Sequence, residues 1–308
     1  RISLDSKYTF RVYWWWKMKE GAAMRYTIKE FNEQFPTEDA CLEYIFKSRY
    51  GRQHTCPKCG KAGFYRVKGR KCWACAWCGH QIHPLANTIF RKSETPLRSW
   101  FFALLLMSQS RNGVSAKEIQ RHIGVTYKTA WRIQKQIRTL MAQEEKEAKL
   151  HGTVETDEGY MGGVRRGVGG AVGKTPVIGM VERKGRIRAK VVGDVKRATI
   201  MPLVRSNILI GTDIMTDEYP PYNALKEAGY HHRVINHLKN RYVKGNVHTN
   251  TIDGFWSQLK RSIRGTYVHV SPKYLQTYVD EFTYRYSRCR SQKNMFAHLL
   301  GELVSTPC

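Results

Sequence analysis

Apolar and polar positions along this chain change their spacing from one stretch to the next, and each change marks a new kind of element. Residues 24–50 carry helical patterning, with Thr37 placed as an N-cap before EDACLEYIFKSRY. Residues 51–92 are aromatic and cysteine-rich, in pieces too short for a helix. Helical spacing returns over residues 93–150, first in TPLRSWFFALLLMSQSRN, where Pro96 suits a first turn. SAKEIQRHIG and TYKTAWRIQKQIRTLMAQEEKEAKL follow. Residues 151–308 differ again: β-type runs come first (TVETDEGYM, TPVIGMVER, RIRAKVVGD) and helical patterns later. There is no internal repeat. The expected class is therefore α/β, with a domain of strands and helices preceded by two smaller units.

The stretch VSAKEIQRHIGVTYKTAWRIQKQI predicts two helices joined by a tight turn at Gly124, with Ser115 and Thr126 as caps. Ile119, Ile123, Ala130, Ile133 and Ile137 form its buried stripe. Tyr127, Lys128, Arg132, Lys135 and Arg138 are left for the outer face. This is the pattern of a helix-turn-helix whose second helix meets a DNA major groove, and equally that of an ordinary helical hairpin. Charge separates the two. The chain has 52 Lys+Arg against 25 Asp+Glu, a formal +27. Such an excess in a chain that is 42% hydrophobic suits a folded protein with a polyanionic partner, and DNA is the first candidate. A membrane partner finds no support, since no apolar run of about 18 residues occurs.

Five of the eight cysteines lie within residues 56–78. Cys56-Pro-Lys-Cys59 and Cys75-Ala-Trp-Cys78 are separated by 15 residues, enough for a hairpin that brings two thiolate pairs onto one ion. The expectation is a structural Zn2+ held by Cys56, Cys59, Cys75 and Cys78, with Cys72 as packing and His80 or His83 as alternative fourth ligands. Four thiolates leave no open coordination position for catalysis. The clustering also points to a reducing compartment. Residues 1–23 lack the order of a signal peptide, and Met24 opens the patterned region, so residues 1–23 read as a non-native leader. The glycine-rich Gly162–Gly173 lacks the spacing of a phosphate loop and precedes a strand, which makes it a hairpin loop whose arginines are free to touch DNA.

Three carboxylates carry the candidate chemistry. Asp157 lies in TVETDEGYM, and Asp217 closes the short strand of TDIMTDEYPPY. Asp253 follows after 35 residues in HTNTIDGFWSQLKRSIRG, where Ile252, Trp256, Leu259 and Ile263 make an apolar helix stripe beside a face bearing Asp253, Ser257, Lys260 and Arg264. Convergent carboxylate oxygens suit a hard cation such as Mg2+ or Mn2+, and two such ions about 4 Å apart serve phosphodiester displacement. N-capping is the plain alternative for any one of these aspartates.

The motifs VETDE…YMGG, MTDEYPPY, INH, HTNTIDGFWSQLKRSIRGTY and DEFTYRY, together with CPKC…CAWC and TPLRSW, resemble bacterial insertion-sequence DDE transposases. The particular resemblance is to the ISXO-type class, which carries an N-terminal zinc ribbon and is related to Merlin elements. It covers nearly everything after Met24. What it implies is an RNase H-like core over residues 151–308, behind an N-terminal helix (24–50), a ribbon (51–92) and a helix-turn-helix segment (93–150). Asp157 and Asp217 match the family's two aspartates, while Asp253 stands where these enzymes usually have Glu. Glu281, Arg285 and Arg288 share one helix face and resemble a Glu-Arg-Arg signature, with Glu281 near the metals and the arginines on DNA; a structural ion-pair ladder is the alternative. His237 is a candidate to position the strand or assist proton transfer, His248 a weaker one, and Asn250 an assisting ligand. The expected DNA grip comes from Lys128, Arg132, Lys135, Lys239, Arg241, Lys244, Lys260, Arg261, Arg264, Arg285 and Arg288. The implied partners are terminal inverted repeats, target DNA and further copies of the chain in a dimer or larger synaptic assembly. The implied location is the cytoplasm, on the nucleoid. The rivals are a nuclease or resolvase with the same site, and a transcription factor with an inactive C-terminal half.

Overall fold

The computed structural model describes residues 26–51, 54–143, 149–163, 171–183, 185–235, 248–288 and 294–305. The expected leader lies outside them, as do His237, Lys239, Arg241, Lys244 and the arginines of the glycine-rich loop.

Two short helices come first among the described residues. The first, α1 (Ile28–Gln34), starts in a capping box between Thr27 and Glu30, and α2 (Glu38–Tyr50) is capped by the Thr37 hydroxyl, which accepts from the Ala40 amide at 3.2 Å. A three-stranded antiparallel ribbon follows: β1 (Phe64–Arg66), β2 (Trp73–Cys75) and β3 (Gln81–Ile82). It leans on α2 through Trp73, whose ring stacks on Phe46 at 4.2 Å. Next come α3 (Leu97–Gln109), α4 (Ala116–Ile123) and α5 (Tyr127–Gln143). Ser115 caps α4, Gly124 ends it in a left-handed turn, and Thr126 caps α5. Ile119, Ala130, Ile133 and Ile137 are fully buried in the helical core. The last helix, α9 (Met295–Ser305), returns to this same core with Phe296, Leu299, Leu300 and Leu303. Helix α9 thus packs with α1, α2 and α3 rather than with the sheet.

The second half is built on a five-stranded sheet of order β6-β5-β4-β7-β8. Strands β4 (Thr153–Met161), β5 (Thr175–Glu182) and β6 (Ile187–Val191) form an antiparallel meander, while β7 (Asp213–Thr216) and β8 (His231–Val234) run parallel to β4. That order and direction make an RNase H-like mixed sheet. One face is covered by α6 (Arg197–Asn207) and a 3-10 turn, Pro220–Leu225; the other by α7 (Asn250–Ser262) and α8 (Pro272–Arg288). Side chains alternate between the faces along β4, Val154 joining the first cluster and Met161 the second.

A buried ion-pair junction fastens the two halves together, and it corrects three expectations. Arg138, expected on the outer face of α5, is 2% exposed, and its Nε donates to Glu281 Oε2 at 2.7 Å. Its guanidinium carbon lies 3.7 Å from the centre of the Tyr278 ring. Glu281 is fully buried. Its oxygens also accept from Arg285, at 2.6 and 3.1 Å, and from the Tyr267 hydroxyl, at 3.0 and 3.2 Å. Arg285 is buried and donates to the Ser110 carbonyl at 2.6 Å, which takes it away from DNA. The Glu281–Arg285 pair is therefore the ion-pair ladder. Its third partner is Arg138, 143 residues away, rather than a metal. Despite burial, the two guanidinium charges hold the Glu281 carboxyl below its ordinary value. Arg288 sits apart, its guanidinium over the Tyr284 ring at 5.2 Å.

Removing one partner of such a junction strands a buried charge, so Arg138→Met is expected to cost about 3 kcal/mol in chemical denaturation. A cost below about 1 kcal/mol would show that the junction is not what ties α5 to α8.

Candidate active site

Strand β4 is registered in parallel with β7, Thr153 opposite Asp213 and Glu155 opposite Met215. Continuing that register sets Asp157 level with Asp217, the first residue beyond β7, and puts both on one face. Glu158 leaves β4 on the opposite face, where the hydroxyl of buried Tyr222 donates to it. One carboxylate oxygen each from Asp157, Glu158 and Asp217 nevertheless comes to the strand ends, the three lying within 4.8 Å of one another. The Tyr219 amide fixes Asp217 by donating to Oδ1 at 3.1 Å. Asp253, in the first turn of α7, is exposed and lies outside this group, yet its charge acts on Asp157. Of the three carboxylates named from sequence, the structure thus brings two together and keeps the third nearby.

How α7 is seated explains why Asp253 stands there. Thr249 gives this helix no side-chain cap. The fully buried Glu155 of β4 does so instead, accepting from the amides of Thr251 and Ile252 at 2.8 and 3.1 Å and from the Thr251 hydroxyl at 2.8 Å. A carboxylate at a helix N-terminus also complements the helix dipole. Arg183 pairs with Glu155 at 2.7 Å, and the His248 ring lies 3.2 Å from it, so His248 belongs to this cap. One turn further, Trp256 lies against the sheet and donates from Nε1 to Asp157 Oδ2 at 2.9 Å. Gly159 and Gly179 make room for the indole: a Cβ at either position would come within 2.7 Å of it. Gly179 is the cross-strand partner of Asp157.

Burial pushes the Asp157 carboxyl up to about 6, with the charges of Asp217 and Asp253 adding to the effect. Burial also pushes Glu158 up to about 7, with Asp157 and Asp217 as its like-charged neighbours. A pocket of crowded carboxylates, short of charge compensation, fits a hard divalent cation.

Comparison with known proteins agrees with this geometry. Residues 149–287 match the family model of the ISXO2-like transposase domain, and residues 36–81 match the transposase zinc-ribbon domain. Together the two matches make the chain an insertion-sequence DDE transposase with an N-terminal zinc ribbon. Among relatives, a protein in transposable element ISH50 of Halobacterium salinarum is 28% identical over 254 residues, covering 74% of this chain and 83% of its own. A transposase-like protein of Haemophilus influenzae is 26% identical over 124 residues, 39% of this chain and 99% of its own.

The transposase's ribbon holds its structural zinc site in the expected place. Cys56, Cys59, Cys75 and Cys78 converge, with Sγ–Sγ distances of 3.6 Å for Cys56–Cys78 and for Cys59–Cys75. Tetrahedral bonds of about 2.3 Å put sulfurs about 3.8 Å apart, so the cage fits the ion. Neither His80 nor His83 joins this group; Cys72 is buried in the ribbon beside Gln81. On α5, Lys128, Arg132 and Lys135 are exposed along one line, and Lys260, Arg261 and Arg264 follow α7 past the carboxylates, Lys260 half-buried and the two arginines exposed. Glu158, Glu155 and Trp256 were missed from sequence. Strand alternation sends Glu158 away from Asp157, and the indole reads as part of an apolar stripe.

Two outcomes follow for the transposase. Folded-state values above the ordinary 3.8 and 4.5 mean that Asp157 and Glu158 lend the metal-free fold stability at low pH, which is lost as pH rises through about 6 and about 7. The melting advantage of Asp157→Asn over wild type should therefore grow from pH 4 to pH 7.5 and shrink when Mg2+ is added. An advantage that does not vary with pH counts against the crowding. For the ribbon, elemental analysis should find one zinc per chain, lost in Cys59→Ser and retained in Cys72→Ala. Retention in Cys59→Ser would exclude the four-cysteine cage.

Proposed function

We propose that this transposase binds the terminal inverted repeats of an insertion sequence, hydrolyses the phosphodiester at each element end, and joins the freed 3′-hydroxyl to target DNA. The observation that carries the reading is the convergence of Asp157, Glu158 and Asp217 at the strand ends of an RNase H-like sheet, with Asp253 close by on α7, inside a transposase domain.

The proposed metal ligands are Asp157, Asp217 and Asp253, with Glu158 added as a fourth oxygen donor. Bound there, Mg2+ or Mn2+ activates the attacking oxygen and stabilises the leaving one. Trp256 fixes one oxygen of Asp157 by donating to it. Tyr222 does the same for Glu158. Water and then the 3′-hydroxyl serve as nucleophiles, so no covalent link to the protein forms. Lys260, Arg261 and Arg264 hold the backbone of the reacting strand, and Lys128, Arg132 and Lys135 hold the repeat. Such contacts make binding fall steeply with salt. Arg288 remains a candidate phosphate contact, and His237 a candidate for positioning the strand. Two ends must be paired, which calls for a dimer or larger assembly. Among the described residues no helix is long and apolar enough to cross a membrane, and a DNA substrate puts the protein in the cytoplasm, on the nucleoid.

The test incubates the full chain with Mg2+ and duplexes carrying the inverted repeats that flank its gene, then resolves cleaved and joined products. Asp157→Ala and Asp217→Ala should each lower cleavage by at least about a thousandfold while leaving DNA binding within about twofold. Asp253→Glu should preserve or raise activity. Cleavage without joining would reduce the reading to a nuclease, and binding with neither would leave a DNA-binding protein with an inactive second half.

A further inference from the structure

The turn between α7 and α8 holds an unusual residue. Five residues of π-helix, Ile263–Tyr267, follow α7 and end at Val268, whose φ of 62° and ψ of −54° lie where side chains branched at Cβ are rarely found. The His269 amide donates to the Tyr267 carbonyl across it at 2.6 Å, closing a γ-turn of the strained hand. Val268 is also 79% exposed, so its own packing does not compensate for the strain. The turn itself is firmly held, because the Tyr267 hydroxyl bonds both oxygens of Glu281 in the buried junction. A strained apolar residue on a rigid base, facing water, is a feature expected where a partner is engaged.

Beside Val268 is a cavity of about 350 Å³. Met161, Ile263, Val270 and Leu275 are the apolar residues around it, and Tyr160, Lys260 and Arg264 also line it. Two elements give its distance from the carboxylates. Tyr160 is three residues beyond Asp157 on β4, roughly 10 Å at about 3.3 Å per residue. Lys260 is seven residues beyond Asp253 on α7, roughly 10 Å at about 1.5 Å per residue. Both paths lead about three base steps of a stacked strand from the cut, at roughly 3.4 Å per step.

We propose that Val268 is a wedge entering the base stack of the bound DNA about three steps from the scissile phosphate, and that the cavity beside it receives the displaced base. The inference rests on the DNA-cleaving function proposed above. An apolar side chain pushed between base steps unstacks them, and an apolar cavity accepts any base by its face. The two cations hold the adjoining phosphates, so binding of the displaced nucleotide does not depend on base identity.

The experiment uses the full chain and flanking-repeat duplexes with 2-aminopurine placed singly at each of the five positions nearest the cut. Wild type should raise the fluorescence at about the third position, and Asp157→Ala should raise it equally while failing to cleave. Val268→Gly removes the wedge and also relieves the strain, so it should melt no lower than wild type. It should lose the fluorescence rise and cleave paired DNA about tenfold more slowly, the size of one lost base contact. A mismatch at the third position should restore its cleavage to within about threefold of wild type. Intact wild-type cleavage with no fluorescence rise at any position overturns the wedge and spares the proposed function. A Val268→Gly defect of equal size on paired and mismatched DNA overturns it too. Absence of wild-type cleavage overturns both.

Discussion

Carboxylate oxygens confined within 4.8 Å repel one another, and much of the second half of the chain serves to hold them there. Left to themselves, Asp157, Glu158 and Asp217 would swing apart into water. Specific donors restrain them, among these the Trp256 indole on Asp157, the Tyr222 hydroxyl on Glu158 and the Tyr219 amide on Asp217. Two of these donors come from elements covering opposite faces of the sheet. The pocket therefore exists only when both layers are packed. Partial burial raises the cost of ionisation and makes compensation by a cation correspondingly more favourable.

The same economy governs α7. Its amino end is satisfied by Glu155, a buried side chain of the strand that carries Asp157, rather than by a residue of its own. Its middle is seated by Trp256 over Gly159 and Gly179. Helix and strand are thereby fixed at two points about one helical turn apart, which sets both the height and the rotation of Asp253. A helix pinned in this way cannot slide to recover reach lost when the side chain at position 253 is shorter by one methylene. Glu158, longer and arriving from the other face, brings its oxygen into the group instead.

Much of this was legible in the sequence where the signal was local. The CxxC pairs, the caps Thr37, Ser115 and Thr126, the turn at Gly124, and Asp157 and Asp217 at strand ends all follow from spacing and local chemistry. What escaped depends on pairs far apart in the chain. Nothing near Arg138 marks it for burial: it reads as one more cation on a basic helix face, and its partner Glu281 lies on α8. Arg285 escaped for the same reason. Glu158 went unnoticed because alternation along β4 describes where a side chain leaves the strand and not where a long one ends. Trp256 was read only for its apolar body, although a buried indole N–H needs an acceptor.

The junction at Glu281 links these separate errors into one mechanical statement. Its carboxylate joins α5, which carries the exposed line Lys128, Arg132 and Lys135, to α8, which backs the sheet, and through Tyr267 to the turn after α7. Gly113, next to α4, approaches the Tyr267 hydroxyl so closely that a side chain there would clash. Helix-turn-helix, turn and sheet thus meet around a single buried charge. A hydrophobic contact would tolerate sliding between these surfaces; a charge with two guanidinium partners in fixed positions does not, because any slip leaves it unpaired in a dry interior. The distance from the exposed basic face of α5 to the carboxylates at the strand ends is thereby set by electrostatics. On the function proposed above, where the chain grips a duplex then determines which phosphate reaches those oxygens.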